Sequence, residues 1–73
     1  MFITYDSQAD ALYIRFSQKE GSQVITKRID EDIALDFEEG EKLHGIEILA
    51  ASHRLDLDAV LKVYVPLADA SQR

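Results

Sequence analysis

Apolar and polar residues alternate over several short stretches of the chain, which is the pattern of half-buried β-strands. The predicted strands cover residues 2–5, 11–16, 23–29, 33–37 and 42–49. Turn-forming residues separate them, and Gly40 in the Glu38-Glu39-Gly40-Glu41 turn is expected to have a positive φ. The pattern predicts an antiparallel sheet of about five strands in meander order.

The last predicted strand contains a break in its alternation. Leu43 has odd parity, whereas Ile46 and Ile48 have even parity, and Gly45 lies between them. A strict period of two would place Leu43 on the face opposite to the isoleucines. Because a glycine inside a strand often marks a bulge, we predict a β-bulge at His44-Gly45 that returns Leu43 to their face.

A helical pattern follows the strands. Leu57, Val60, Leu61 and Tyr64 are spaced as one apolar stripe, and Ser52 or Asp56 is the expected N-cap. The helix should end before Pro66. Residues 62–65 also suit a short strand, and the sequence leaves both alternatives open. The predicted fold is α+β, a single domain over residues 1–73 with one C-terminal helix packed on one face of the sheet.

A single helix covers a single face, yet apolar side chains are expected on both faces of this sheet. The residues predicted to form a core with the helix are Leu12, Ile14, Phe16, Leu35 and Phe37. Those assigned to the second face are Tyr5, Tyr13, Ile25 and Ile29. We interpret this face as an interface and expect a homo-oligomer, a dimer first. Twist of the sheet offers the alternative of singly exposed side chains.

Composition narrows the possible partners and the compartment. The chain has 73 residues, no cysteine and a formal net charge of −6. This charge disfavours nucleic-acid binding and suits a basic protein partner. The clustered basic residues that could contact a nucleic acid are Arg15, Lys27, Arg28 and Lys42. The absence of a signal-peptide pattern at the N-terminus and of a long apolar run predicts a cytoplasmic protein without membrane contact.

Few polar residues stand at spacings that suggest chemistry. If the bulge is present, His44 and Glu47 share a face and Asp36 lies on the partner strand, an arrangement that suits acid–base chemistry or a metal. Asp6 and Asp10 flank the first turn and are candidates for a hard cation, with turn capping as the alternative. A solvated hairpin face is the simpler interpretation of the first group. No motif for a cofactor is present.

Tyr5-Asp6 followed by Ala9-Asp10-Ala11-Leu12-Tyr13-Ile14 forms a first recognisable signature. A second consists of Ile33-Ala34-Leu35-Asp36-Phe37, then Gly45-Ile46-Glu47-Ile48-Leu49 and Ala51-Ser52. Together they resemble the domain of unknown function 2283 (DUF2283), a family of small bacterial proteins. The resemblance covers residues 2 to about 55. It implies a small stand-alone domain without an established activity, and occurrence beside toxin-like proteins in some members, which allows an antitoxin-like role.

The leading hypothesis from the sequence is a non-enzymatic, self-associating protein-interaction domain. The alternative is a small metal-binding protein or hydrolase that uses Asp36, His44 and Glu47. Enzymatic activity is left open, although the sequence favours a role without it.

Overall fold

The computed structural model describes residues 1–18 and 23–62. Five antiparallel strands form one sheet, and two short helices follow them. The elements are β1 (Phe2–Asp6), β2 (Ala11–Arg15), β3 (Ile25–Arg28), β4 (Ile33–Phe37), β5 (Leu43–Ile48), α1 (Ala51–Arg54) and α2 (Leu57–Leu61). The predicted α+β fold with an antiparallel sheet is confirmed. Neither helix within the described ranges is long and apolar enough to cross a membrane.

The order of the strands differs from the predicted meander. The sheet runs β1-β2-β5-β4-β3, so that β2 pairs with β5 and β3 lies at the far edge. A hairpin loop usually has about two to five residues, and the longer connection over residues 16–24 does not force β2 and β3 to be neighbours. The consequence is that β5 becomes the central strand, paired with β2 on one side and with β4 on the other.

The structure has two short helices where one was predicted. Leu55 adopts an extended conformation and ends α1, and the side chain of Asp56 then caps α2 by accepting a hydrogen bond from the Ala59 N–H at 3.2 Å. The Asp56 cap is confirmed. The Ser52 cap is wrong, because Ser52 lies inside α1. Tyr64 and residues 63–65 of the alternative strand lie outside the described residues.

The core is small and lies beneath the helices. Leu12, Ile48 and Ala51 are buried, and Leu55, Leu57 and Val60 pack against them. The sheet face that carries Leu12 and Ile48 is called the helix face below. Phe16 was predicted to belong to this core, but its side chain is 41% exposed. It follows directly after β2, and the helices pack around Leu12 and Ile48 instead.

The opposite sheet face, called the back face below, carries Tyr13, Asp36 and Glu47. The register corrects the predicted second apolar face. Tyr5 is paired with Leu12 and Ile25 with Phe37, and directly paired residues share a face, so both belong to the helix face. Only Tyr13 among the four predicted interface residues points to the back face, which is largely polar.

The predicted bulge at His44-Gly45 is confirmed. Asp36 is paired with Gly45, while the next residue, Phe37, is paired with Leu43, so His44 is the extra residue. The shift places Leu43 on the same face as Ile46, as the parity argument required. Gly40 has the expected positive φ of 82°.

Polar contacts on two sides hold α1 against the sheet. The Ala51 N–H donates to the Asp10 carbonyl in the β1–β2 turn at 2.9 Å. On the other side, the Arg54 guanidinium contacts Asp30 and Asp32 in the β3–β4 turn at 2.9 and 2.8 Å. These contacts hold down the pKa of the Asp30 carboxyl. The helix therefore connects the turns of two hairpins.

The chain enters α1 through Ala50, which has a left-handed conformation with φ 49° and ψ 43°. We expect Ala50→Gly to raise the free energy of unfolding by about 0.5 kcal/mol, because relief of about 1–2 kcal/mol of strain exceeds the entropic cost of a glycine. Denaturant unfolding measures the difference. Ala51→Gly is the matched control at the next position, where the alanine is buried and helical, and it should destabilise the protein. Lower stability in Ala50→Gly would contradict the prediction.

Candidate functional site

Two clusters of polar side chains are the candidates for a functional site. The first surrounds Asp10, which has a positive φ of 52° at the end of the β1–β2 turn. Its carboxylate accepts hydrogen bonds from the Tyr5 hydroxyl at 2.7 Å and the Ser52 hydroxyl at 2.6 Å, and from the Ser52 N–H at 3.0 Å. The cluster joins β1, the first turn and α1.

Electrostatics make this cluster better suited to structure than to catalysis. The hydrogen bonds from Ser52 and Tyr5 lower the pKa of the Asp10 carboxyl, and the bond to Asp10 raises the pKa of the Tyr5 phenol. A carboxylate with a lowered pKa is a weak general base, so it is poorly matched to activating the Ser52 hydroxyl. The arrangement serves to hold α1 to the sheet.

The second cluster spans four neighbouring strands on the back face, in the order β2-β5-β4-β3. The Tyr13 hydroxyl on β2 donates to one Asp36 oxygen on β4 at 2.8 Å, and the Thr26 hydroxyl on β3 donates to the other at 2.6 Å. Gly45 on β5 lies between Tyr13 and Asp36, and the Tyr13 side chain occupies the space that a Cβ on Gly45 would need. Glycine at this position allows the phenol to cross the central strand.

The phenol in this cluster stays protonated over a wide pH range. Burial, then the hydrogen bond to Asp36 and its charge, raise the pKa of Tyr13 to about 12. Both Asp36 oxygens already accept a hydrogen bond, which leaves this carboxylate less available to a substrate or a cation.

The predicted group of Asp36, His44 and Glu47 is divided among different partners. His44 Nδ1 lies 2.8 Å from the Glu38 carboxylate, and both side chains are largely buried. Glu47 lies 3.5 Å from the Arg28 guanidinium. Residues 1–18 and 23–62 contain no group of three or more histidine or acidic side chains placed to hold a metal ion.

Asp6 and Asp10, the predicted cation pair, also have separate roles. Asp6 accepts hydrogen bonds from the Gln8 and Ala9 N–H groups at 2.9 and 3.2 Å, which is the turn-capping geometry weighed as the alternative. Asp10 contacts Tyr5 and Ser52 as described above.

A shallow depression on the back face is lined by Phe2, Thr4, Tyr13 and Arg15. The Arg15 guanidinium lies 4.6 Å from the centroid of the Phe2 ring, a cation–π distance. The depression combines an aromatic surface with a charged group.

Several residues of these clusters were not identified from the sequence. Thr26 is the partner of Asp36 because β3 and β4 pair in that register, and strand parity alone gives no register between separate strands. Glu38 was assigned to a turn, and its contact with His44 depends on the bulge. Tyr5 was assigned to the second face, although its hydroxyl reaches Asp10.

Comparison with known proteins adds one finding. A model of the family described as "Protein of unknown function (DUF2283)" matches residues 3–52. The chain belongs to the DUF2283 family. No curated protein and no solved structure matches this chain.

The DUF2283 match runs from β1 to Ser52 in α1 and therefore includes both polar clusters. The resemblance inferred from the two sequence signatures is confirmed. The family description names no activity, so the match establishes the family of the chain but not its function.

Gly45→Ala should destabilise the protein by about 1–3 kcal/mol, which is the usual cost of overpacking. The new Cβ would overlap the Tyr13 side chain and lie 2.8 Å from the Ile14 carbonyl oxygen. Urea unfolding gives the free energy. Tyr13→Ala removes the side-chain overlap, but the Ile14 carbonyl oxygen belongs to the backbone and stays close to the new Cβ. In a double-mutant cycle, Gly45→Ala should therefore cost less stability in the Tyr13→Ala background than in the wild type, although the cost should not vanish. Additive effects of the two substitutions would contradict the close contact.

The Tyr13 pKa predicts a stability change at alkaline pH. The folded pKa of about 12 lies above the unfolded value of about 10. The contribution of Tyr13 is therefore fully present below pH 10 and is lost as the pH rises towards 12. Urea unfolding at pH 9 and pH 11.5 should show a larger loss in the wild type than in Tyr13→Phe. Equal losses would show that Tyr13 is not the group responsible.

Proposed function

We propose that this protein is a non-enzymatic interaction domain that self-associates through the uncovered end of its helix face. The observation that carries the proposal is a row of apolar side chains at the end of the sheet opposite to α1. The row consists of Met1, Phe16, Leu43, Phe37 and Ile25. All of them except Phe37 are among the exposed large apolar residues.

The row continues the core without being covered by the described helices. Leu12 and Ile48, which the helices cover, lie at one end of β2 and β5, and Phe16 and Leu43 lie at the other end. Contiguous exposed patches on monomers rarely exceed a few hundred Å², and larger ones mark interaction sites. The exposed members of the row are large apolar side chains on neighbouring strands of one sheet face, which is the composition of such a site.

A second copy of the chain is the partner that fits this row best. Packing the row against its own counterpart across a two-fold axis would bury the same apolar residues twice, and a two-fold dimer is the commonest closed assembly. A small domain without disulfides has a thin margin of stability, so this additional burial would also stabilise each subunit.

The polar clusters support this choice over an enzyme. Asp10, Asp36 and Glu38 each have partners within the described part of the chain, and these contacts join secondary-structure elements. The metal-binding or hydrolase alternative with Asp36, His44 and Glu47 remains a prediction, and each of the three side chains has a different partner. A basic protein partner also remains a prediction, and it rests on the net charge of −6.

Light scattering coupled to size-exclusion chromatography tests the self-association. We expect the wild type at high micromolar concentration to have twice the mass of one chain, and Phe16→Ser to have the mass of a monomer. Phe2→Ser is the matched control, because Phe2 is an exposed phenylalanine on the back face, 52% exposed against 41% for Phe16. A wild-type monomer, or equal effects of the two substitutions, would overturn the proposal.

A further inference from the structure

The two edges of the sheet differ in how their side chains are covered. On β1, Ile3 and Tyr5 pack against the core. On β3, every residue is exposed, and within the described ranges β4 is its one neighbouring strand. An edge strand presents a row of N–H and C=O groups that can pair with another chain. The sheet is therefore open to extension at β3.

The side chains of β3 show what kind of strand would fit. Ile25 and Lys27 belong to the helix face, because they are paired with Phe37 and Leu35. Ile29 continues the alternation one residue beyond the strand, where its N–H donates to the Ile33 carbonyl at 2.7 Å. Ile25 and Ile29 are 66% and 59% exposed, so both can contact an added strand. Lys27 stands between them.

Lys27 is a cation with an aromatic contact and, within the described residues, without an ion pair. Its amine lies 5.5 Å from the centroid of the Phe37 ring. Among residues 1–18 and 23–62, no carboxylate lies within salt-bridge distance of it. Along the helix face, this edge of the sheet therefore presents an apolar, a cationic and an apolar side chain in turn.

We propose that β3 binds an extended segment of a partner protein whose side chains alternate apolar, acidic, apolar. The segment adds a sixth strand to the sheet. Backbone hydrogen bonds provide affinity, and the alternate side chains provide specificity. An acidic side chain opposite Lys27 forms a cross-strand ion pair, while its apolar neighbours cover Ile25 and Ile29.

Charge complementarity selects such a partner over a second copy of β3. Two copies of β3 can pair antiparallel with their helix faces on the same side of the joined sheet. In one register of this pairing, Ile25 of each copy lies opposite Ile29 of the other. That register also places Lys27 opposite Lys27, and like charges directly opposite each other are destabilising. Lysine on an edge strand is a known obstacle to self-pairing. An acidic side chain turns the same lysine into an attractive contact.

This inference rests on the proposed role as an interaction domain but not on self-association, since Ile25 is the one residue that the apolar row shares with β3. The probe is a capped nine-residue peptide with glutamate at its centre, valine two positions to either side and threonine elsewhere. Titrated into ¹⁵N-labelled protein and followed by two-dimensional NMR, it should shift the amide signals of Ile25–Arg28 most. Shifts spread over the sheet, or none, would overturn the inference.

Charge reversal tests the role of Lys27. Lys27→Glu should weaken binding of the glutamate peptide about fivefold, which is the upper end of the scale of a cross-strand charge pair. The same variant should bind a peptide with lysine at the centre better than the wild type does. Lys42→Glu is the matched control, because it changes the net charge equally at an exposed position before β5. If Lys42→Glu weakens binding as much as Lys27→Glu, net charge explains the result and the inference is wrong.

The two proposals can fail separately. If light scattering shows a dimer and the NMR signals of β3 do not shift with the peptide, the edge site is refuted and self-association stands. If light scattering shows a monomer and the β3 signals shift with the glutamate peptide, self-association is refuted and the edge site stands.

Discussion

Within the described ranges, the sheet of this protein is wider than the two helices that cover it. The helices are four and five residues long, and they pack over Leu12 and Ile48 near one end of the central strands. A chain of this length has little apolar surface to bury, and each uncovered row of the sheet reduces that amount further. This mismatch between the two layers explains the exposed row around Phe16, the exposed side chains of β3 and the small core.

Polar contacts replace part of the missing core. Asp10 and Ser52 fix α1 to the first hairpin, and Arg54 fixes it to the turn between β3 and β4. On the back face, Tyr13 reaches across Gly45 to Asp36, which joins three strands where no second layer of described residues lies. Such networks specify the geometry of a thin structure, since each of their groups has a particular partner.

The sequence predicted the local features well and the long-range ones poorly. Alternation located the strands, the parity of Leu43 against Ile46 located the bulge, and Asp56 was correctly assigned as a cap. These signals arise within a few residues. The strand order was wrong because the connection over residues 16–24 is too long to impose a neighbour. The face of Ile25 was wrong because alternation within β3 does not give its register against β4. The Tyr13–Asp36–Thr26 cluster joins three strands, and no pattern within one strand could reveal it.

The position of α1 between two hairpins has a consequence for local opening of the fold. Amide protons of β5, which has a neighbour on each side, should exchange with solvent only when much of the sheet opens. Among the described residues, strand β3 has one neighbouring strand and all of its residues are exposed. It can therefore separate while α1 keeps the first hairpin and β5 together. Opening at this edge leaves the core around Leu12 intact. The least protected strand is then also the one that can exchange partners without unfolding the rest of the chain.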